Sequence, residues 1–185
     1  MDRSKIIETP NLAIRESEFE DCEFFAGWES REDVNAFMSL NNNHSYKEVV
    51  TDFIKNSRDP AHKQYTITLK PDGRPIGRLF LTKINYDMDS LNFTGLYIAE
   101  QDDRRRGYGE EALRAMLEHI FIVLHMERVS IDHLKNDVAA AFLCRKIGCR
   151  DEGIMRHAGK KDGKYVDLYR MSLLRADYYE KIRAK

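Results

Sequence analysis

The residues with the clearest chemical potential in this chain form the segment 104–109, Arg-Arg-Arg-Gly-Tyr-Gly. Two glycines two residues apart allow a tight backbone turn that brings its N–H groups close to a ligand. A helix beginning there would direct its unpaired first N–H groups and its positive dipole end at the same place. Arginine side chains add charge and forked donors that suit phosphate oxygens. The segment therefore predicts a cradle for a pyrophosphate at a helix N-terminus.

A strand-like stretch at 91–99 precedes this turn, and a strongly amphipathic helix follows it. The apolar residues of the helix recur every three or four positions, which predicts one buried stripe. They are Leu113, Met116, Leu117, Ile120, Phe121 and Leu124. A Gly-x-Gly pair alone also occurs in ordinary exposed turns. The order of strand, arginine-glycine turn and long helix favours the phosphate-binding interpretation.

Length and composition indicate one globular domain over residues 1–185, with its core at about 10–175 and a short helix after it. Thirty basic and 31 acidic residues give a formal net charge of −1, which argues against a nucleic-acid-binding protein. No apolar run has the length of a membrane span, and no N-terminal segment resembles a signal peptide. Cys22, Cys144 and Cys149 form no CxxC pair, which fits free thiols in the cytoplasm. The histidines show no ligand spacing, so no metal is expected.

The remaining pattern predicts a mixed α+β fold. A first strand at 11–15 is followed by helices, a meander of three antiparallel strands, the helix after the glycine turn, and then a strand, a helix and a hairpin. The later strands are expected at 65–69, 76–84, 91–98, 128–132, 149–157 and 165–174, and the helix between them at 136–147. Asp162-Gly163 is a typical hairpin turn.

The N-terminal third predicts three helices. Two are expected over 19–40 with a break near 27–31, and their buried side is expected to comprise Phe19, Phe24, Phe25 and Trp28. After a loop at 41–44, Ser45 and Glu48 have the spacing of a capping box that begins a third helix ending near 57. Its buried face is expected to comprise Val49, Val50, Phe53 and Ile54. The acidic residues between 16 and 23 predict a solvated face or, alternatively, a surface that attracts a cationic substrate.

Several motifs together resemble the Gcn5-related N-acetyltransferases (GNAT). Arg104-x-x-Gly107-x-Gly109 is similar to the family's pyrophosphate signature, and it lacks the features of a P-loop or a Rossmann fingerprint. The segments 9–15, 146–153 and 163–169 resemble the Rim-type branch, which includes ribosomal-protein and polyamine acetylases. The resemblance covers nearly the whole chain. It implies the acyl-CoA N-acyltransferase fold, a mostly antiparallel central sheet flanked by helices on both faces.

The resemblance also implies a reaction, in which an acetyl group moves from acetyl-CoA to a primary amine by direct attack in a ternary complex. Family members lay the pantetheine arm of CoA along the strand before the glycine turn, like an added strand. A backbone N–H there would also stabilise the oxyanion. The cofactor-binding residues implied in this chain are Tyr97, Ile98, Ala99, Arg104, Arg105, Arg106, Gly107, Tyr108, Gly109 and Asn136.

The acid and the base are less well determined. Cys144 occupies the position of a family tyrosine that protonates the CoA sulfur. A thiol could donate that proton, although cysteine is also an ordinary small core residue, and Tyr165 and Tyr169 are alternative donors. Asp132 and His133, at the end of a strand, are the candidate bases, with a water chain as the alternative.

The family asparagine that opens the helix at 136–147 and contacts the cofactor matches Asn136 by type and Asp137 by ungapped position. Both residue types also begin helices for structural reasons.

Two other functions stay open. A catalytically degenerate CoA-binding module would keep the cradle without turnover, and an unrelated nucleotide-phosphate binder could use the same arginine turn. The acceptor (a protein N-terminus, a polyamine or another small amine) is not determined by the sequence, nor is the assembly state, although family members are often homodimers.

Overall fold

A computed structural model describes residues 6–35, 45–161 and 163–181. One eight-stranded sheet organises them, in the order β1-β2-β3-β4-β5-β6-β8-β7. The strands are β1 Ile7–Glu8, β2 Leu12–Glu16, β3 Lys63–Leu69, β4 Pro75–Asn85, β5 Ser90–Ile98, β6 Arg128–Leu134, β7 Arg150–Lys161 and β8 Lys164–Leu174. All neighbours are antiparallel except β5 and β6, which are parallel. The predicted α+β fold with a mostly antiparallel sheet is confirmed.

Helices cover both faces of the sheet, as predicted. They are α1 Cys22–Glu29, α2 Glu32–Asn35, α3 Tyr46–Ser57, α4 Tyr108–Glu118, α5 Val138–Ile147 and α6 Arg175–Lys181. The larger apolar core lies between the sheet and α4–α6, and a smaller one lies on the opposite face beneath α1 and α3. None of the helices in the described ranges is long and apolar enough to cross a membrane.

The N-terminal helices differ from the prediction in their buried side. The break falls at Ser30 and Arg31, after a helix that includes Gly27. Phe25 and Trp28 are buried as predicted, but Phe19 and Phe24 are 50% and 45% exposed, so that part of the prediction is wrong. The inward stripe of α1 runs through Cys22, Phe25, Trp28 and Glu29, and Phe24 lies outside this spacing. Residues 36–44, which include the end of the second predicted helix and the loop, lie outside the described residues.

Helix α3 begins where its capping box predicts. The Ser45 side chain accepts a hydrogen bond from the Glu48 N–H, and the Glu48 carboxylate accepts one from the Ser45 N–H. Val49 and Phe53 are buried, whereas Ile54 is 38% exposed at the edge of the apolar face. The acidic residues before α1 do not all form a solvated face. Asp21 is buried, and its carboxylate accepts two hydrogen bonds from the Arg15 guanidinium.

Helix α4 and the segments after it follow the predicted pattern closely. Its stripe is buried from Leu113 to Phe121, and a π-helical turn, His119–Val123, extends it. Helix α5 begins at Val138, two residues later than predicted, because the Asp137 carboxylate caps it by accepting a hydrogen bond from the Ala140 N–H.

Candidate active site

The site is built where the neighbouring strands β5 and β6 separate. The parallel strands β5 and β6 pair only from Ser90 with Arg128 to Phe93 with Ile131. At the next residue, Thr94, the register of β5 with β4 shifts, since Leu81 pairs with Phe93 and Phe80 pairs with Gly95. Such a bulge turns the strand away from its former neighbour. A cavity of about 640 Å³ lies in and around the resulting cleft.

The phase of the β4–β5 ladder decides which backbone groups of β5 face the cleft. The Ala99 N–H donates to the Ile76 oxygen at 2.7 Å. Because antiparallel pairs alternate, the backbone groups of Tyr97 also face β4, and those of Leu96 and Ile98 face the cleft. The predicted strand segment therefore lines the cleft, but Leu96 replaces Tyr97 and Ala99 as a source of free backbone groups.

Strands β4 and β5 approach very closely at this level. A Cβ at position 77 would lie 2.2 Å from the Tyr97 carbonyl oxygen, so only glycine fits there. The close approach fixes the position of the Tyr97 backbone in the sheet. It thereby also fixes the direction of the neighbouring backbone groups of Leu96 and Ile98, which face the cleft.

The arginine-glycine turn connects this strand to α4, and Arg104 folds back onto the strand end. Its guanidinium donates to the carbonyl oxygens of Ile98 and Ala99 at 2.8 and 2.7 Å and pairs with Asp33 at 2.9 Å. Arg104 lines the cavity, but these contacts commit its donors to the protein. Arg31 first of all, and also Arg104, hold the pKa of Asp33 well below its usual range.

The rest of the turn leaves its backbone open. Arg105 and Arg106 are exposed, and Arg106 Nε donates to the Asp102 carbonyl oxygen. Gly107 adopts a φ of 87°, a left-handed conformation that glycine accepts without strain, and Tyr108 begins the helix. No side chain in the described residues caps α4 at Gly107, so its first N–H groups stay available to an anion.

Helix α5 forms another wall of the cavity. Asp137, Ala140, Leu143 and Cys144 line it, whereas Asn136 is exposed in the preceding turn. Cys144 is only 2% exposed, and the neighbouring Cys149 thiol lowers its pKa. Conversely, the Cys144 thiol and then burial raise the pKa of Cys149. Cys144 lines the cavity and Cys149 does not.

Of the two candidate bases, His133 is the one whose side chain keeps an atom without a hydrogen-bond partner among the described residues. Arg170 donates to both carboxylate oxygens of Asp132, at 2.8 and 2.7 Å. His133 Nδ1 lies 2.9 Å from the Leu134 carbonyl oxygen, which can only accept, so Nδ1 carries the proton. His133 Nε2 is buried, has no hydrogen-bond partner among the described residues, and belongs to a side chain that lines the cavity. The ring stacks on Tyr169 at 5.9 Å.

A buried ion pair that the sequence did not indicate forms the floor of the cavity beneath α1. Arg78 Nη1 donates to Glu29 Oε1 at 2.7 Å, and the Tyr97 hydroxyl donates to the same oxygen at 2.8 Å. The guanidinium lies between the rings of Phe25 and Phe80, 3.8 and 4.3 Å from their centroids. Burial, and then Glu29, raise the pKa of Tyr97 well above its usual value. The spacing of four from Phe25 to Glu29 was the available signal, because it places Glu29 on the apolar stripe of α1.

Acidic side chains outnumber basic ones around the cavity. Those that line it are Glu29, Asp33, Asp52, Asp132 and Asp137, against Arg78 and Arg104. The early acidic run contributes none of them, and Glu16 pairs instead with Lys63 at 3.0 Å. Within the described ranges, no three His, Cys, Asp or Glu side chains are grouped so that they could hold a metal ion. The cleft can therefore hold an elongated ligand with a phosphate end at α4 and a cationic partner at the carboxylates.

A family model described as the acetyltransferase (GNAT) domain matches residues 11–150. The match covers most of the chain, and the protein belongs to this family of acetyltransferases, as the sequence motifs predict. Curated relatives include an uncharacterised N-acetyltransferase of Bacillus subtilis, 23% identical over 93% of this chain and 98% of its own length. A spermidine N(1)-acetyltransferase of Vibrio cholerae is 21% identical over 90% of this chain and 95% of its own length. The Rim-type branch stays a prediction.

Solved structures show the same fold. The spermidine N-acetyltransferase of Vibrio cholerae, solved in complex with CoA and spermine, superposes with a TM-score of 0.82 over 92% of this chain and 99% of its own, at 20% identity. A GCN5-related N-acetyltransferase from Brucella melitensis also gives a TM-score of 0.82, at 19% identity over 97% of this chain and 83% of its own. At such low identities the likeness shows the fold alone.

Proposed function

We propose that this protein transfers an acetyl group from acetyl-CoA to a primary amine by direct attack in a ternary complex. The observation that carries the proposal is the cleft between β5 and β6, where unpaired backbone groups lead directly to the free N-terminus of α4. A Vibrio cholerae protein of the same fold has been solved with CoA and spermine bound. Acetyl-CoA supplies the activated thioester, and the protein supplies position and charge.

The chain offers a suitable group for each part of the cofactor. The N–H groups at the start of α4 and the turn around Gly107 suit the pyrophosphate. The backbone N–H and C=O of Leu96 and the N–H of Ile98 suit the amides of the pantetheine arm, because these groups face the cleft without a strand partner among the described residues. An N–H of this segment would also stabilise the charge that develops on the thioester oxygen. Positioning of this kind can supply much of the rate enhancement.

Two proton transfers complete the reaction. The amine nitrogen bonds to the acetyl carbon while the carbon–sulfur bond breaks, so the amine loses a proton and the sulfur gains one. We assign the donor role to Cys144, the thiol at the cavity wall. The alternative donor is Tyr169, whose ring stacks on that of His133. His133 Nε2, which lacks a partner in the described part of the chain, is the group we assign to accept a proton, because Asp132 is held by Arg170.

The acceptor we propose is cationic, because carboxylates outnumber guanidinium groups around the cavity. Polyamines, basic small amines and protein N-termini all satisfy this chemistry. A cationic acceptor is also consistent with the spermine bound in the Vibrio cholerae structure.

A thermal-shift titration with acetyl-CoA, CoA and ATP tests the cradle. A ligand that binds only the folded state raises the melting temperature with its concentration. We expect a shift with CoA and acetyl-CoA that Gly107→Asp abolishes, because the added carboxylate lies at the phosphate end. Gly73→Asp is the matched control, since this glycine also has a positive φ, of 69°, but lies in the turn between β3 and β4. No shift with CoA in the wild type would overturn the proposal.

The second candidate function is a CoA-binding module without turnover, which the cysteine in place of the expected tyrosine favours. A thiol-release assay with a panel of primary amines separates the two functions. Release of CoA that depends on the amine supports the enzyme, whereas a CoA-induced thermal shift without release from any amine supports the module. Cys144→Ala should lower kcat and leave the CoA shift unchanged if this thiol is the proton donor.

A further inference from the structure

We infer that Glu29 receives the amino group of the acceptor, and that the site takes an aliphatic primary amine in its ammonium form. The inference rests on the proposed function and adds the residue and the substrate class. It starts from the buried ion pair between Glu29 and Arg78, each of which is 4% exposed. Buried ion pairs contribute little net stability, because removing two charges from water is costly. A buried pair in a cavity wall therefore calls for a role other than stability.

The hydrogen bonds of Glu29 are unevenly distributed. Oε1 accepts from both the Arg78 guanidinium and the Tyr97 hydroxyl. Oε2 has no hydrogen-bond partner among the described residues. Arg78 does not make a bidentate contact with the Glu29 carboxylate, because its Nη2 donates to Gln64 Oε1 at 2.5 Å. One carboxylate oxygen in the cavity wall is therefore left for a ligand donor.

A purely structural role for the pair would leave this arrangement unexplained. Helix α1 is already held to the sheet by apolar contacts of Cys22, Phe25 and Trp28. Tyr97 and Arg78 instead fix Glu29 Oε1, which sets the direction of Oε2. The contacts therefore position the carboxylate more than they anchor the helix.

The location of Glu29 relative to β5 matches the geometry of the transfer. Tyr97 holds the carboxylate from the α1 side of the sheet, and its chain neighbours Leu96 and Ile98 present the backbone groups proposed for the acyl arm. Helix α4, with the phosphate site, packs on the opposite face. An amine held at Glu29 would enter the cleft from the face opposite α4, and its ammonium group would give a proton to His133 Nε2 before the nitrogen attacks the acetyl carbon.

The lining around Glu29 indicates the class of amine. Val34, Val49 and Phe80 provide apolar surface in the same cavity, which suits a methylene chain next to the ammonium group. Asp52 lines the cavity from α3 and has no ion-pair partner in the described part of the protein. A chain amine would place its charge at Glu29 and its carbon atoms along these side chains.

Binding of hexylamine to the CoA-saturated protein, measured by calorimetry, tests this inference independently of turnover. Glu29→Gln keeps the size and the acceptor oxygen but removes the charge, and we expect about 10- to 100-fold weaker binding, as for a lost charge-assisted hydrogen bond. Hexan-1-ol, which carries no charge, should bind weakly to both proteins. Glu23→Gln is the matched control, because Glu23 is exposed on the same helix, and it should bind like the wild type.

Tyr97→Phe provides a second variant that leaves the ion pair intact. It removes the hydroxyl that positions Glu29, and a several-fold loss of hexylamine affinity with an unchanged CoA-induced thermal shift is expected. Equal hexylamine affinity in the wild type and Glu29→Gln, or no binding to the wild type, would overturn the inference. A wild type that fails to bind CoA would instead overturn the proposed function, so the two failures are distinguishable.

Discussion

Replacement of Gly77 by alanine tests the closest backbone approach in the structure. The new Cβ would lie 2.2 Å from the Tyr97 carbonyl oxygen, a contact that must widen beyond 3.0 Å. The oxygen belongs to the backbone of β5, so no side-chain rotation can relieve the overlap. Strands β4 and β5 must therefore separate where they form the wall of the cleft.

The expected cost follows from two contributions. Forcing extra volume into a packed site costs about 1–3 kcal/mol, and disturbing a ladder hydrogen bond costs about 1 kcal/mol. Together they predict that Gly77→Ala lowers the free energy of unfolding by about 3 kcal/mol. For a chain of this length, that loss lowers the melting temperature by about 6–12 °C.

Urea denaturation followed by circular dichroism measures the effect, and Gly27→Ala is its control. Gly27 lies within α1, and no atom outside its own helical turn lies within 4 Å of the position that an alanine methyl group would take. The same substitution should therefore stabilise the protein there by about 0.5–1 kcal/mol through helix propensity. The two variants should thus change stability in opposite directions. A Gly77→Ala protein with the wild-type denaturation midpoint would refute the close approach of β4 and β5.

Three further changes test other parts of the fold. Hydrogen bonds from Arg128 and then Ser172 lower the pKa of Glu152 to about 2. The stabilisation by the ionised Glu152 carboxylate is complete above about pH 4.5 and is lost as the pH falls toward 2. Between pH 6 and pH 3, the urea midpoint of Glu152→Gln should therefore fall less than that of the wild type. Ser45→Ala removes the side-chain cap of α3 and should cost about 1 kcal/mol, which equal urea midpoints would contradict. Phe121→Ala empties a fully buried site against Tyr178, whose ring lies 5.0 Å away, and should cost about 3–5 kcal/mol in the same measurement.

Local sequence signals predicted the elements of this fold well. The capping box at Ser45, the apolar stripe after Gly107 and the hairpin turn before β8 each depend on residues close together in the chain, and the structure bears them out. The buried side of α1 was harder to predict, because Phe24 and Phe25 have equal hydrophobicity. Which of them is buried depends on how the helix docks against β4 and β5.

The site was less predictable because its properties depend on long-range contacts. The hydrogen bond from the Ala99 N–H to the Ile76 oxygen means that the backbone groups of Leu96, and not those of Tyr97, face the cleft. Arg104, whose type suggests phosphate binding, folds back onto the end of β5. Glu29 is one of many acidic residues in the chain, and what distinguishes it is a buried ion pair with Arg78, 49 positions away. No local pattern contains these facts.

The separation of β5 from β6 has a consequence for the free protein. Beyond Phe93 and Ile131, β5 and β6 no longer pair, so each has a margin inside the sheet without a strand partner among the described residues. Such margins accept extended chains from any source, including a second protein molecule during folding or storage. A ligand bound between β5 and β6 would pair with these margins. The cofactor that takes part in the reaction would therefore also protect the protein against aggregation.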